Sequence, residues 1–284
     1  MVPRIIAMTE TSRTMLSVHA HPDDEALFTG GVIARYAREG VRQVLVTCTE
    51  GNLGFDPRGN WFGLEEHDPE ATAALRRSEL EAASVILGID RLEILGYRDS
   101  GMEGWSSAED PASFVNQPID DVAHRIAAVI LEERPQVVVT YADDGFYGHP
   151  DHVFTHKVTM RALEMTGHPV KLYFVAMARG RRQGFADMAA AASRMLPEWI
   201  EGDLIVGTDD ELVQTFVDCT EVAEIKHRAL EAHRSQVDNA DLVSLDIELF
   251  SSIFGTETFV RAADYTRAAL PEDDLFAGVA GIDS

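Results

Sequence analysis

Twice along this chain the tripeptide His-Pro-Asp follows an apolar, strand-like run and opens a helix-like one, and few folds accommodate two such turns. The first lies in Ser17-Val18-His19-Ala20-His21-Pro22-Asp23-Asp24-Glu25, after a strand from Thr14 to Val18 and before a helix from Ala26 to Tyr36. The second lies in Tyr147-Gly148-His149-Pro150-Asp151-His152, after a strand from Gln136 to Tyr141, and opens a helix from Pro150 to Thr166. Proline and carboxylates both suit the first turn of a helix, so either turn taken singly is also an ordinary capped helix start. Two of them in one chain point further. In an α/β sheet the turns leaving the carboxyl ends of parallel strands converge on one crevice, and both motifs are expected to line it.

His149 and His152 are three residues apart and share a helix face, as do His21 and Asp24. Two imidazoles and a carboxylate, with one position open to water, form the donor set of a catalytic zinc rather than of a closed structural one. The same set accommodates ferrous iron. The turns hold more imidazoles and carboxylates than one metal needs, which leaves groups for proton transfer. Residue chemistry alone does not separate Asp23 from Asp24 as base and ligand.

The rest of the chain alternates in the same manner: Gln43 to Thr49, a helix around Glu70 to Leu87, Arg91 to Gly96, and a helix from Asp120 to Glu133. This reads as α/β, a Rossmann-like, mostly parallel sheet flanked by helices. A mixed strand from Lys171 to Met177, a helix over Phe185 to Leu196, the stretch Asp203 to Asp218 and a helix from Glu221 to His233 are expected to extend the sheet and close one side of the site. Two long loops, Gly51 to Pro69 with Trp61 and Phe62 and the polar run around Trp105, are expected above the crevice, where such loops often serve function. A single domain over 12–270, with an acidic tail over 271–284, accounts for the length.

Charge and composition exclude several classes. With 48 acidic and 24 basic residues the formal charge is -24, which repels nucleic acid and anionic membrane surfaces. Cys48 and Cys219 are the two cysteines, too few for a disulfide framework or a thiolate zinc site. No apolar run reaches membrane-spanning length, and residues 1–14 lack the long apolar core of a signal peptide, so a cytoplasmic protein is expected. A homo-oligomer is compatible with these features. There is no Gly-x-Ser-x-Gly elbow and no Gly-x-x-x-x-Gly-Lys phosphate loop, and Thr29-Gly30-Gly31 does not complete a dinucleotide fingerprint.

At Ala20-His21-Pro22-Asp23-Asp24-Glu25 and His149-Pro150-Asp151-His152 the chain resembles the LmbE-like or PIG-L family of metal-dependent N-acetylglucosaminyl deacetylases. Arg76-Arg77-Ser78-Glu79-Leu80 is similar to that family's Arg-x-x-Glu helix. Leu95-Gly96-Tyr97-Arg98-Asp99-Ser100-Gly101-Met102 is similar to the branch holding the mycothiol-biosynthesis deacetylase and the mycothiol S-conjugate amidase. His233-Arg234-Ser235-Gln236 resembles a weaker carboxyl-terminal motif, and the likeness spans about Ser12 to Arg267. The resemblance implies His21, Asp24 and His152 as metal ligands and Asp23 as the base acting on water. It also implies His149 as the group that protonates the leaving amine or supports the oxyanion, with Asp151 orienting its ring, and Tyr147 as an oxyanion aid. Arg76 and Asp99 match positions used for substrate hydroxyls and neighbouring polar groups.

The expected activity is therefore hydrolysis of an N-acyl bond, foremost N-acetyl, on a glucosamine-containing small molecule. An amidase acting on a bulkier thiol conjugate is the alternative with the same site. A non-catalytic sugar- or metal-binding module is the alternative from another class, and the presence of both Asp23 and His149 argues against it, because binding alone needs neither base nor acid.

Overall fold

The computed structural model describes residues 13–191, 207–236 and 239–280. Seven strands form one sheet: β1 (Thr14–His19), β2 (Arg42–Thr49), β3 (Arg91–Tyr97), β4 (Val137–Thr140), β5 (Lys171–Ala176), β6 (Thr215–Asp218) and β7 (Thr256–Ala263). They lie in the order β3-β2-β1-β4-β5-β7-β6. The first five are parallel, whereas β7 runs antiparallel to both β5 and β6. Strands buried on both faces need no polar alternation, which is why β4 reads Val-Val-Val-Thr.

Helices cover both faces. α1 (Asp24–Phe28), α2 (Gly30–Arg38), α3 (Pro69–Leu87) and the helix Ala223–Ala232 pack one side through Ile33, Tyr36, Leu87 and Leu230. α4 (Ile119–Glu133) and α6 (Pro150–Thr166) pack the other through Ile126, Ile130, Phe154 and Val158, with the short α5 (Gly145–Gly148) leading into α6. The strand order reverses between β1 and β4. Ligands of open α/β sheets bind in the crevice at such a switch point, and the two His-Pro-Asp turns leave the carboxyl ends of those two strands.

The helix expected over Ala26 to Tyr36 is broken at Thr29 into α1 and α2. The cause is a long-range cap. The Glu257 carboxylate, arriving from β7, accepts the N–H groups of Gly31 at 2.7 Å and Val32 at 2.8 Å and so starts a new helix. The helix expected over Phe185 to Leu196 begins earlier, at Arg179, and is described to Ala191; residues 192–196 and 203–206 lie outside the described residues. From Pro271 to residue 280 the expected tail is docked on the sheet, with Leu275 and Phe276 buried. Glu272 meets Lys171 Nζ at 3.0 Å, Arg261 Nη1 at 2.9 Å and the Tyr173 hydroxyl at 2.7 Å. Among the described residues no helix is long and apolar enough to cross a membrane.

Candidate metal centre and its cleft

The turn after β1 brings His21 and Asp24 together, and the start of α6 brings His152 onto them. His152 Nε2 lies 3.3 Å from His21 Nδ1 and 3.5 Å from Asp24 Oδ2, and His21 Nδ1 lies 3.4 Å from Asp24 Oδ2. All three residues are buried. A triangle with edges of about 3.4 Å is the face of a tetrahedron whose centre is roughly 2.1 Å from each corner, the bond length of four-coordinate zinc. The other ring nitrogens are already engaged: His21 Nε2 faces the Asp151 carboxylate at 3.1 Å, and His152 Nδ1 faces the Gly145 carbonyl at 3.1 Å. Such partners fix the tautomer and aim the remaining nitrogen at a metal. Two imidazole nitrogens and a carboxylate oxygen converging in a buried site form a donor set that fits a divalent metal.

Electrostatics agree. Burial lowers the His21 imidazole, but the carboxylates of Asp99, Asp151 and Asp24 outweigh it and hold the ring well above its ordinary value. Burial raises Asp24, yet His152 and His21 pull it well below the usual carboxylate range. Burial brings His152 down to about 4, leaving it neutral and ready to ligate.

Asp23 stands beside the triangle in a left-handed conformation, φ 115°. Strain of this kind persists where the surroundings over-determine it. Its Oδ1 accepts from Arg76 Nη2 at 3.1 Å, its Oδ2 from Asn239 Nδ2 at 3.0 Å, and its N–H donates to Glu25 Oε2 at 3.0 Å. Glu25 is in turn held by His233 Nε2 at 2.6 Å, both side chains fully buried. Burial lifts the Asp23 carboxyl to about 6, against the opposing pull of Arg76.

His149 brings a third imidazole near, one of its ring nitrogens lying within 4.8 Å of one on each of His21 and His152. His149 Nδ1 already accepts the Asp151 N–H at 3.1 Å, which leaves Nε2–H as its donor. Burial, then the neighbouring His21 and His152, hold this ring well below its ordinary value, so it is neutral at pH 7. Here the structure corrects an expectation: the Asp151 carboxylate orients His21, and it is the Asp151 backbone that orients His149. Carboxylate and ring diverge because Asp151 sits in the first turn of α6 with its side chain turned toward β1 and the Ser100 N–H, 3.0 Å away.

Arg76 also departs from its expected part. It is 5 % exposed, and its guanidinium binds Asp23, the Gly51 carbonyl and the Pro22 carbonyl rather than standing free for substrate. Tyr147 meets His152 edge to face, ring centroids 5.0 Å apart and planes at 74°. Asp99 stands 3.8 Å from His21 Nε2 and opens onto a cleft of about 370 Å³ lined by Asn52, Phe62, His67, Arg98 and Ser107. Burial raises Asp99, but His21 and His149 bring it below the ordinary range, so it stays ionised as an acceptor. Phe62 stacks on Trp105, centroids 5.2 Å apart, and ties the two long loops together at this cleft; Trp61 stays outside, 48 % exposed.

Three contributors had no clear mark in the sequence. Tyr141, read only as a strand end, donates to Asp24 Oδ2 at 2.7 Å. Asn239 reaches Asp23 from 216 residues away. Glu25, one acid among neighbours, fixes the Asp23 backbone. The position of Tyr141 at the mouth of a switch-point strand was the one usable signal.

Comparison with known proteins follows the same lines. The chain is 41 % identical over 239 residues to a 1D-myo-inositol 2-acetamido-2-deoxy-alpha-D-glucopyranoside deacetylase of Thermobifida fusca, covering 79 % of this chain and 84 % of that one. It is 38 % identical to the protein of the same name from Rhodococcus erythropolis, over 96 % and 99 % of the two chains. Among solved structures, the N,N'-diacetylchitobiose deacetylase of Pyrococcus horikoshii superposes with a TM-score of 0.55 at 20 % identity, over 88 % of this chain and 82 % of that one. A 4-carboxy-2-hydroxymuconate hydratase of Pseudomonas putida superposes with a TM-score of 0.59 at 18 % identity, over 91 % and 99 %, so the shared architecture alone does not select the reaction. A family model described as PIG-L, GlcNAc-PI de-N-acetylase, matches residues 16–163, which hold both His-Pro-Asp turns, and the chain belongs to that family.

Proposed function

We propose that this chain is a metal-dependent hydrolase that removes the acetyl group from an N-acetylglucosaminyl inositol or a closely related glucosaminide. The observation that carries the reading is the tight triangle of His21, Asp24 and His152 with a carboxylate, Asp23, held beside it near neutrality. The names of the two relatives above supply the substrate class. His21, Asp24 and His152 would hold the cation, zinc in the first place and ferrous iron as the other candidate. When bound, such an ion supplies Lewis acidity that polarises the amide carbonyl and makes water easier to deprotonate.

The chain's own groups do the remainder. Asp23 takes the proton from the attacking water as its oxygen adds to the carbonyl carbon. His149, neutral with Nε2–H as its donor, gives a hydrogen bond to the developing oxyanion, and Tyr147 stands over the same region with its hydroxyl. Asp23 then returns the proton to the nitrogen as the C–N bond breaks, giving acetate and a free amine. Asp99, ionised and buried at the cleft, accepts from sugar hydroxyls. Arg76 and Asn239 hold the Asp23 carboxylate in place throughout.

The test is release of amine from N-acetylglucosaminyl inositol, a mycothiol conjugate, chitobiose and N-acetylglucosamine, after chelation and after restoring zinc or ferrous ion. We expect the inositol glucosaminide to be cleaved fastest, chelation to abolish the activity, one of the two ions to restore it, and His152→Ala to retain no metal. Full metal content in His152→Ala would overturn the ligand set. Preference for the mycothiol conjugate would make the chain an amidase instead, and binding without any turnover would make it a binding module.

A further inference from the structure

Tyr141 touches two of the three proposed ligands at once. Its ring stacks on His152, centroids 4.1 Å apart and 14° from parallel, while its hydroxyl donates to Asp24 Oδ2 at 2.7 Å. The side chain is fully buried, so neither contact is shared with solvent. The phenol oxygen is itself engaged: the Ala20 N–H donates to it at 3.1 Å, and His19 Nδ1 lies 3.2 Å away. On its far side His19 Nε2 lies 2.8 Å from the Thr29 hydroxyl.

The polarity of this row follows from its end. An ionised Asp24 only accepts, so the Tyr141 proton points to it across the 2.7 Å contact. The Tyr141 oxygen then accepts from His19, which places the imidazole proton on Nδ1. His19 Nε2 must in consequence accept from Thr29, whose 2.8 Å contact here is shorter than its 3.2 Å alternative to the Glu25 carbonyl. Every donor in the row points toward the Asp24 oxygen that closes the triangle. Successive hydrogen bonds aligned in one sense in a dry interior strengthen one another.

We propose that Tyr141, backed by His19 and Thr29, is a positioning residue of the metal centre: it fixes the Asp24 oxygen and the His152 ring relative to one another and so tunes metal affinity. Tyr141 does not touch substrate or metal; it acts through the two residues it orients. This rests on the ligand assignment made above, and the test distinguishes the two.

The decisive variant is Tyr141→Phe, which keeps the stack on His152 and removes the hydroxyl. Metal affinity is read by competition with a chromophoric chelator, using zinc and cobalt(II), and the cobalt(II) absorption spectrum reports the ligand field directly. Loss of an outer partner of this kind lowers metal affinity by about 10- to 100-fold. We expect that loss in Tyr141→Phe, with a changed cobalt(II) spectrum and the circular dichroism of the metal-free protein unaltered. Thr29→Val breaks the same row at its head while leaving Tyr141 in place, and we expect a smaller loss in the same direction. If Tyr141→Phe does not fold, Thr29→Val decides the matter alone. Unchanged affinity and an unchanged cobalt(II) spectrum in the folded variants would overturn the proposal while leaving the ligand assignment standing. Failure of the unmodified protein to bind either ion would instead overturn the assignment itself.

Discussion

As the proposed base, Asp23 has to be ionised near neutrality and still basic enough to accept a proton, and its surroundings set both limits. Burial lifts it to about 6, while Arg76 at 3.1 Å keeps it from rising further. The deprotonated form is the active one, so catalytic efficiency should rise with pH along an acidic limb at or below about 6, the bound cation moving it downward. Asp23→Asn preserves shape and removes proton acceptance. We expect full metal content, a kcat reduced by about 100-fold or more, and loss of that acidic limb from the residual activity. A near-normal kcat would exclude the base. On the basic side the neutral His149 contributes no limb of its own, because burial and its two imidazole neighbours hold it well below its ordinary value.

The element that joins the two ends of the fold is the carboxyl-terminal segment against β5 and β7. Lys171 is 0 % exposed, and its ammonium is matched by Glu272, which also takes Arg261. Glu272→Ala would leave a buried cation without its partner, and breaking a buried pair in this way destabilises by about 3–5 kcal/mol. We expect the unfolding free energy from urea titration to fall by that amount, with metal content unchanged in the folded fraction; a loss below about 1 kcal/mol, the range of surface pairs, would show the segment to be peripheral. The contrast with β1, β4 and α6 explains what the sequence could reveal. Their strand runs and the Pro150 helix start are local patterns, and the proposed metal ligands sit inside or beside them. The break at Thr29 depends on Glu257, and the grip on Asp23 depends on Asn239, each more than 200 residues distant. No local pattern encodes such partners. The resemblance to a known family separated Asp23 from Asp24, which spacing alone did not, and the structure then gave each aspartate its own surroundings.

At the scale of the whole molecule, a chain of formal charge -24 carries buried acids and imidazoles whose balance depends on whether a proton or a metal lies between them. In the metal-free protein His21 and His233 are both held above their ordinary value of 6.5, against burial, by neighbouring carboxylates. Groups raised in this way contribute stability that is complete below 6.5 and is lost as pH climbs through their folded values. His152, lowered to about 4, and His149, also lowered, act in the opposite sense, but their effect is confined to the range below 6.5 and is level above it. Above 6.5 the metal-free protein should therefore lose stability with rising pH. His233 contributes to that loss in both forms. A cation held by His21, as proposed, would replace its proton, so the loaded protein would escape that part of the loss, and metal affinity itself would gain as ligand protons no longer compete. The gap in Tm between metal-loaded and chelated protein should widen steadily from pH about 6.5 to about 8.5, measured calorimetrically at fixed metal concentration. A gap that stays constant or narrows over that range would mean that no proton is exchanged for the metal at His21, and that this imidazole is not a ligand.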